Sequence, residues 1–122
     1  PIDEPVEIDI VAFAHRPKRL MRRKDPDHAI WKRSKPDADN ICKCALDSLV
    51  MAGVLRDDSL AVKVNIMDMF AERDRGPRLC LRMRPVGPEP LEGWWDDASR
   101  RTAKVLVDFT EEEHEFVDDL PW

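Results

Sequence analysis

The chain has 122 residues, of which 43% are hydrophobic and 37% are charged, and its formal net charge is −5. This length suffices for a single domain with its own core, and the balance of apolar and charged residues excludes a disordered tail. No apolar run is long enough to cross a bilayer and nothing at the amino end resembles a signal sequence, so we expect a cytoplasmic protein.

The charges are distributed unevenly along the chain. Residues 15–35, here called the basic loop, contain nine lysines and arginines against two aspartates, whereas residues 108–119 contain seven acids and no lysine or arginine. The nine cations, which we predict to contact DNA phosphates, are Arg16, Lys18, Arg19, Arg22, Arg23, Lys24, Lys32, Arg33 and Lys35. A cluster of cations suits a polyanion partner, although a solvated face is the alternative. Trp31 could pack on an exposed base, but we expect it to be buried.

The first predicted strand is "PVEIDIVAFA", where apolar residues alternate with Glu7 and Asp9 before the segment becomes wholly apolar. The basic loop follows, with Pro17 and Pro26 and a short strand predicted at "AIWKR". A helix is predicted over "ICKCALDSLVMAG", because its apolar residues recur at helical spacing. We expect Asp39 or Asn40 to be the N-cap of this helix, and Gly53 to end it.

Two further alternating segments, "SLAVKVNIMDMFA" and "RLCLRMRP", are predicted to pair as a β-hairpin across the turn "ERDRGP". The predicted fold is therefore α+β, a small mixed sheet with a β-hairpin packed against a helix. Because "VGPEPLEG" is typical of a linker, we place the core at residues 1–86 and a linker with an acidic carboxyl-terminal extension at 87–122. Within the extension a helix over 98–109 is favoured, although "KVLVDF" also fits a short strand.

Acidic residues gather around the predicted helix. Asp39, Lys43 and Asp47 recur in steps of four and so share one helical stripe, with Asp37 just ahead of it. Asp57 and Asp58 precede the next strand, and if the helix packs back on that strand, several carboxylates meet at the amino end of the helix. Carboxylates held this close suit Mg²⁺ or Mn²⁺, with Lys43 placed to bind phosphate. Helix capping is the alternative explanation for the Asp37 and Asp39 pair.

The segment "KPDADNICKCALDSLVMAGVLRDDSLAV", residues 35–62, closely resembles the signature of the RusA family of Holliday junction resolvases, small endodeoxyribonucleases common in phages and prophages. The resemblance implies that Asp37, Asp39 and Asp58 are metal ligands and that Lys43 is the catalytic lysine. Supporting roles fall on Asn40, Asp47 and Asp57, which also match family positions.

The activity implied by this resemblance is Mg²⁺-dependent hydrolysis of DNA at four-way junctions, by a homodimer that makes paired nicks in opposed strands, in a bacterial or phage-infected cell. Mn²⁺ is expected to substitute for Mg²⁺. Two alternatives stay open: a metal-dependent nuclease acting on flaps or other branched DNA, and a junction-binding module without catalytic activity. The acidic extension lies outside the signature and could bind a protein partner, fold over the basic loop or be solvated. The chain begins at Pro1, and we expect family members to carry more sequence before the first strand.

Overall fold

The computed structural model describes residues 1–87 and two short strands at 105–107 and 115–117. The chain divides into two units, Pro1–Gly87 and Pro88–Trp122. No helix in the described residues is long and apolar enough to span a membrane.

The first unit contains a four-stranded mixed sheet and one α-helix. In chain order its elements are β1 (Val6–Ala14), β2 (Ile30–Trp31), α1 (Ala38–Met51), β3 (Ala61–Phe70) and β4 (Arg78–Pro85), with 3₁₀ turns at Lys18–Leu20 and Asp58–Leu60. The strand order is β2-β3-β1-β4, in which β1 and β3 run parallel and the other two pairings are antiparallel. The predicted α+β class, with a mixed sheet and a helix, is confirmed.

The predicted β-hairpin is wrong, because β1 lies between β3 and β4. Neighbouring strands are about 4.8 Å apart, so the seven-residue connection 71–77 easily spans the width of one intervening strand. The strand between β3 and β4 is β1, which is the most apolar on one face. Its Val6, Ile8 and Ile10 are fully buried. A turn signal between two alternating segments does not reveal whether a third strand will separate them.

The core lies between the sheet and α1. Val6, Ile8 and Ile10 of β1 pack with Ala45 of α1 and with Leu55, which follows the helix. Because side chains alternate along a strand, these three β1 residues face the helix while Glu7 and Asp9 face the opposite side of the sheet. The spacing of apolar residues in the sequence thus reports correctly which side of β1 and which side of α1 are buried.

Charged side chains occupy the face of the sheet opposite the helix. Glu7 is buried and forms ion pairs with Lys63, at 2.7 Å, and with Arg84. Asp9 accepts hydrogen bonds from Asn65 at 2.9 Å, from Arg84 at 2.7 Å and from Arg82, and these bonds hold the pKa of Asp9 below its ordinary value. Each carboxylate on this face is therefore neutralised by cations from neighbouring strands.

The helix ends where its sequence indicates but begins earlier. Asp37 is the N-cap residue, so the predicted caps Asp39 and Asn40 lie in the first turn and that prediction is wrong. Pro36 disfavours helix only for the residue before it, which leaves the chain able to turn helical at Ala38. At the other end Gly53 has φ of 75° and donates to the Val50 carbonyl, while Val54 donates to the carbonyl of Leu49. This pair of bonds is a Schellman motif, and the predicted ending at Gly53 is confirmed.

In the second unit the structure describes one antiparallel pair, β5 (Val105–Val107) with β6 (Glu115–Val117). The favoured helix over 98–109 is therefore wrong at 105–107, where two valines, which prefer extended backbone, flank Leu106. The rest of that prediction, and most of the acidic extension, lie outside the described residues.

Candidate functional site

The first pair of predicted site residues lies at the start of α1. Asp37 has extended backbone directly before the helix, and its Oδ1 accepts a hydrogen bond of 2.8 Å from the Asn40 amide. Its hydrogen bond with the Asp39 side chain is the main cause that holds the pKa of Asp37 below its ordinary value, aided by the charge of Lys35 and by Asn40. Two carboxyl groups held in hydrogen-bonding contact favour a proton or a cation between them.

The second pair lies between α1 and β3. Asp57 precedes a 3₁₀ turn, and its Oδ1 accepts a hydrogen bond of 3.1 Å from the Ser59 backbone N–H. That bond, followed by the contact with Asp58, lowers the pKa of Asp57. The pKa of Asp58 is raised, first by its hydrogen bond with Asp57, then by desolvation and by the negative charges of Asp57 and Asp47. The neighbours of Asp58 therefore disfavour its negatively charged form.

The two pairs are separate in the structure. Asp47, Asp57 and Asp58 line one hollow together with Arg56, whereas Asp39 lies eight residues earlier on the helix than Asp47, about 12 Å along its axis. Among the described residues, no three or more His, Cys, Asp or Glu side chains are placed so that they could hold a metal ion. The predicted acids are therefore divided between two sites, and Asp58 is not brought to Asp37 and Asp39. In donor chemistry, each pair of carboxylates still fits Mg²⁺ or Mn²⁺.

Lys43 lies between the two carboxylate pairs. It is exposed on α1, and the helical rise places it about 6 Å along the axis from both Asp39 and Asp47. Within the part of the chain that the structure describes, its ammonium makes no hydrogen bond or ion pair. Lys43 is thus available to a phosphate that approaches this side of the helix.

The cations of the basic loop fall into two groups. Seven are exposed to solvent: Lys18, Arg19, Arg22, Arg23, Lys24, Arg33 and Lys35. Arg16 is buried and donates to the Pro26 carbonyl at 2.6 Å, and the Lys32 side chain is only 4% exposed. Both were predicted to contact DNA, but in the structure Arg16 joins two parts of the loop to each other and Lys32 joins the loop to β3.

Lys32 fastens the segment that leads into α1. Its Nζ donates to the carbonyls of Ser34, at 2.5 Å, and Pro36, at 2.7 Å, and lies 3.6 Å from the Asp68 carboxylate of β3. Pro36 directly precedes Asp37. Lys32 therefore ties the sheet to the residue before the first predicted metal ligand, a role that the sequence does not indicate.

Arg73 also organises the basic loop, and the sequence gives no sign of it. Its guanidinium donates to the carbonyls of Met21, Arg22 and Asp25 and to the Asp27 carboxylate, at 2.7 to 2.9 Å. These partners lie 46 to 52 residues earlier in the chain. Only the folded chain brings Arg73 to the loop, which explains why no local pattern identifies it.

Trp31, expected to be buried, is 65% exposed. It lies on β2, a strand of two residues that, among the described residues, pairs only with β3 and so forms an edge of the sheet.

Comparison with known proteins places these features in a family. The family model described as "Endodeoxyribonuclease RusA" matches residues 1–84, a span that contains both carboxylate pairs, Lys43 and the basic loop. Searches of curated proteins and of solved structures give no significant match.

Proposed function

The chain belongs to the RusA family of endodeoxyribonucleases, and from this premise we propose that it resolves four-way (Holliday) DNA junctions by paired nicks in opposed strands. The observation that carries the proposal is the Asp37–Asp39 pair at the start of α1, followed one turn later by the exposed Lys43. Acids and a cation in this arrangement suit the hydrolysis of a phosphodiester, in which water adds to phosphorus and one ester oxygen leaves.

We propose that Asp37 and Asp39 would bind Mg²⁺, for which Mn²⁺ should substitute, and we keep Asp58, which lies in the second pair, as the third ligand that the family resemblance implies. Such a metal, when bound, activates water and stabilises the charge of the leaving oxygen. Asn40 orients Asp37 through its 2.8 Å hydrogen bond, and Lys43 neutralises the charge that develops on the scissile phosphate. Asp57 and Asp47 support Asp58, whose pKa they raise. Asp58 lies beside Asp47 and not beside Asp37 and Asp39. The Asp58→Asn variant therefore tests whether Asp58 is the third ligand.

The exposed cations of the basic loop would contact the phosphates on either side of the cleaved bond, which orients DNA without reading its sequence. A homodimer is part of the proposal. Its two-fold axis would match the near two-fold symmetry of an open junction and would place one site at each of two opposed strands.

The test is cleavage of a mobile four-way junction beside a linear duplex and a flap, with Mg²⁺, Mn²⁺ or a chelator. Asp37→Asn, Asp39→Asn and Asp58→Asn should abolish cleavage while junction binding stays equal or tightens, because a charge that repels phosphate is lost. Lys43→Ala should lower the cleavage rate by about 10²- to 10³-fold. Glu4→Gln, which removes one exposed acid before β1, is the matched control and should cleave like the wild type.

Each alternative predicts a different result. Equal cleavage of the flap and the junction would favour a nuclease for branched DNA in general, and tight junction binding without cleavage would favour a binding module. If both Asp37→Asn and Asp58→Asn still cleaved the junction, the assigned site would be wrong.

A further inference from the structure

A groove of about 430 Å³ lies beside the exposed Trp31 at the β2 edge of the sheet. Its apolar lining includes Leu20, Ile30 and Phe70, the last of which is 8% exposed at the end of β3. The groove thus combines an exposed indole ring with a fixed apolar surface. A volume of this size is within the range of sites that bind small organic groups.

The charged side chains that line the groove within the described part of the chain are all positive. Arg19 and Arg33 line it together with Ser34, and no carboxylate is among the lining residues that the structure describes. The guanidinium carbon of Arg19 lies 6.0 Å from the centre of the Phe70 ring, which holds this cation over the apolar surface. Such a site favours a ligand with a flat apolar part and an adjoining negative charge.

The groove is tied to the candidate site. Lys32, between the two lining residues Trp31 and Arg33, is fixed by its bond to the Pro36 carbonyl, directly before Asp37. Asp37 is four positions after Arg33 in the chain, so their Cα atoms are at most about 14 Å apart. A nucleotide in the groove would therefore lie close to a phosphate held at Asp37 and Asp39.

We propose that this groove binds an unpaired nucleobase next to the cleaved phosphate, with the base stacked on Trp31 and its phosphate held by Arg19 and Arg33. The inference rests on the proposed function, since the centre of a junction is where bases leave their pairs. Every base offers a flat face to an aromatic ring, so stacking of this kind tolerates any sequence. A peptide is less well matched to the groove, because the two arginines favour a negatively charged ligand and a peptide backbone carries no charge.

The test compares binding, with metal chelated so that no strand is cut. Labelled ligands are a junction with an unpaired thymine at its centre, a short single-stranded oligothymidine, and a fully paired linear duplex. Trp31→Ala should weaken binding of the first two by about 5- to 150-fold, the range for loss of one stacked base, and leave the duplex unchanged. Trp31→Phe should retain most of the affinity.

Two further variants test whether the lost affinity comes from stacking on Trp31. One tests the loss of an exposed apolar side chain elsewhere, and the other tests the loss of a positive charge. Leu79→Ala removes a half-exposed apolar side chain on the opposite edge strand and should change no affinity. Arg33→Gln should lower the slope of log affinity against log salt concentration by about one, as expected for one lost phosphate contact.

The outcomes keep this inference apart from the proposed function. If wild type cleaves junctions but Trp31→Ala binds unpaired bases as tightly, or loses duplex affinity equally, the groove proposal is overturned and the nuclease stands. If oligothymidine binding depends on Trp31 while no junction is cleaved, the groove stands and the proposed function fails. Binding of an acidic peptide but of no DNA would overturn both.

Discussion

Replacing Lys32 by methionine should destabilise the first unit and disturb the start of α1. The Lys32 and Asp68 side chains are 4% and 10% exposed, and Asp68 Oδ1 is buried without a hydrogen-bond partner in the described structure. Methionine keeps the length of the side chain but leaves the Asp68 carboxylate without its cation. Removing one partner of a buried ion pair costs about 3 to 5 kcal/mol.

Urea denaturation and thermal melting would measure this loss. For a unit of about this size, each kcal/mol lowers the Tm by roughly 4 to 8 °C, so a fall of at least about 12 °C is expected. Lys35→Met is the matched control, because Lys35 is exposed and such substitutions usually change stability by less than about 0.5 kcal/mol. Adding Asp68→Leu to Lys32→Met should restore much of the stability, since neither charge is then buried alone.

The functional consequence can be read in the same variants. Because Lys32 bonds to the carbonyl before Asp37, junction cleavage at a temperature where the variant is folded should slow while junction affinity is unchanged. A stability loss no larger than that of Lys35→Met would refute the reasoning, as would a double variant that is less stable than Lys32→Met alone.

Two other predictions concern the helix end and the second acid pair. Gly53→Ala should lower stability by about 1 to 2 kcal/mol, because φ of 75° is unfavourable for an L-residue with a side chain. Gly76→Ala, at a position with open space and no positive φ, is its control, and equal melting temperatures of the two variants would contradict the argument. Asp58→Asn should melt higher than wild type near pH 7 but not near pH 3. The pKa of Asp58 is raised above 3.8 in the folded chain, so ionisation of Asp58 opposes folding. This destabilisation is absent at a pH below 3.8 and complete at a pH above the raised pKa. A gain as large near pH 3 as near pH 7 would show that charge is not its cause.

The candidate site was accessible to sequence reasoning because its residues are close together in the chain. Asp37, Asp39, Lys43 and Asp47 fall within eleven residues, and a helix converts their spacing into a shared side by geometry alone. The position of Asp58 relative to these residues could not be predicted in the same way. It depends on how the chain returns from α1 to β3, and the structure brings it to Asp47, about two turns beyond Asp39.

The basic loop shows the same limit. Its cations are evident from composition, but burial separates Arg16 and Lys32 from the seven exposed ones. Their partners are a loop carbonyl and a carboxylate of β3, so their role depends on contacts that no local pattern encodes. Trp31 shows the opposite case, in which a side chain expected to be buried is exposed. Its strand lies at the edge of the sheet.

The sequence by itself determined the family, the α+β class, the helix that ends at Gly53 and the side of β1 that is buried. All of these follow from spacing along the chain, which the geometry of one helix or one strand turns directly into structure. Tertiary structure alone decided that β1 separates β3 from β4, that the acids form two pairs, and which cations reach solvent. These depend on which elements become neighbours, and neighbours are selected by the burial of the whole core rather than by any single segment.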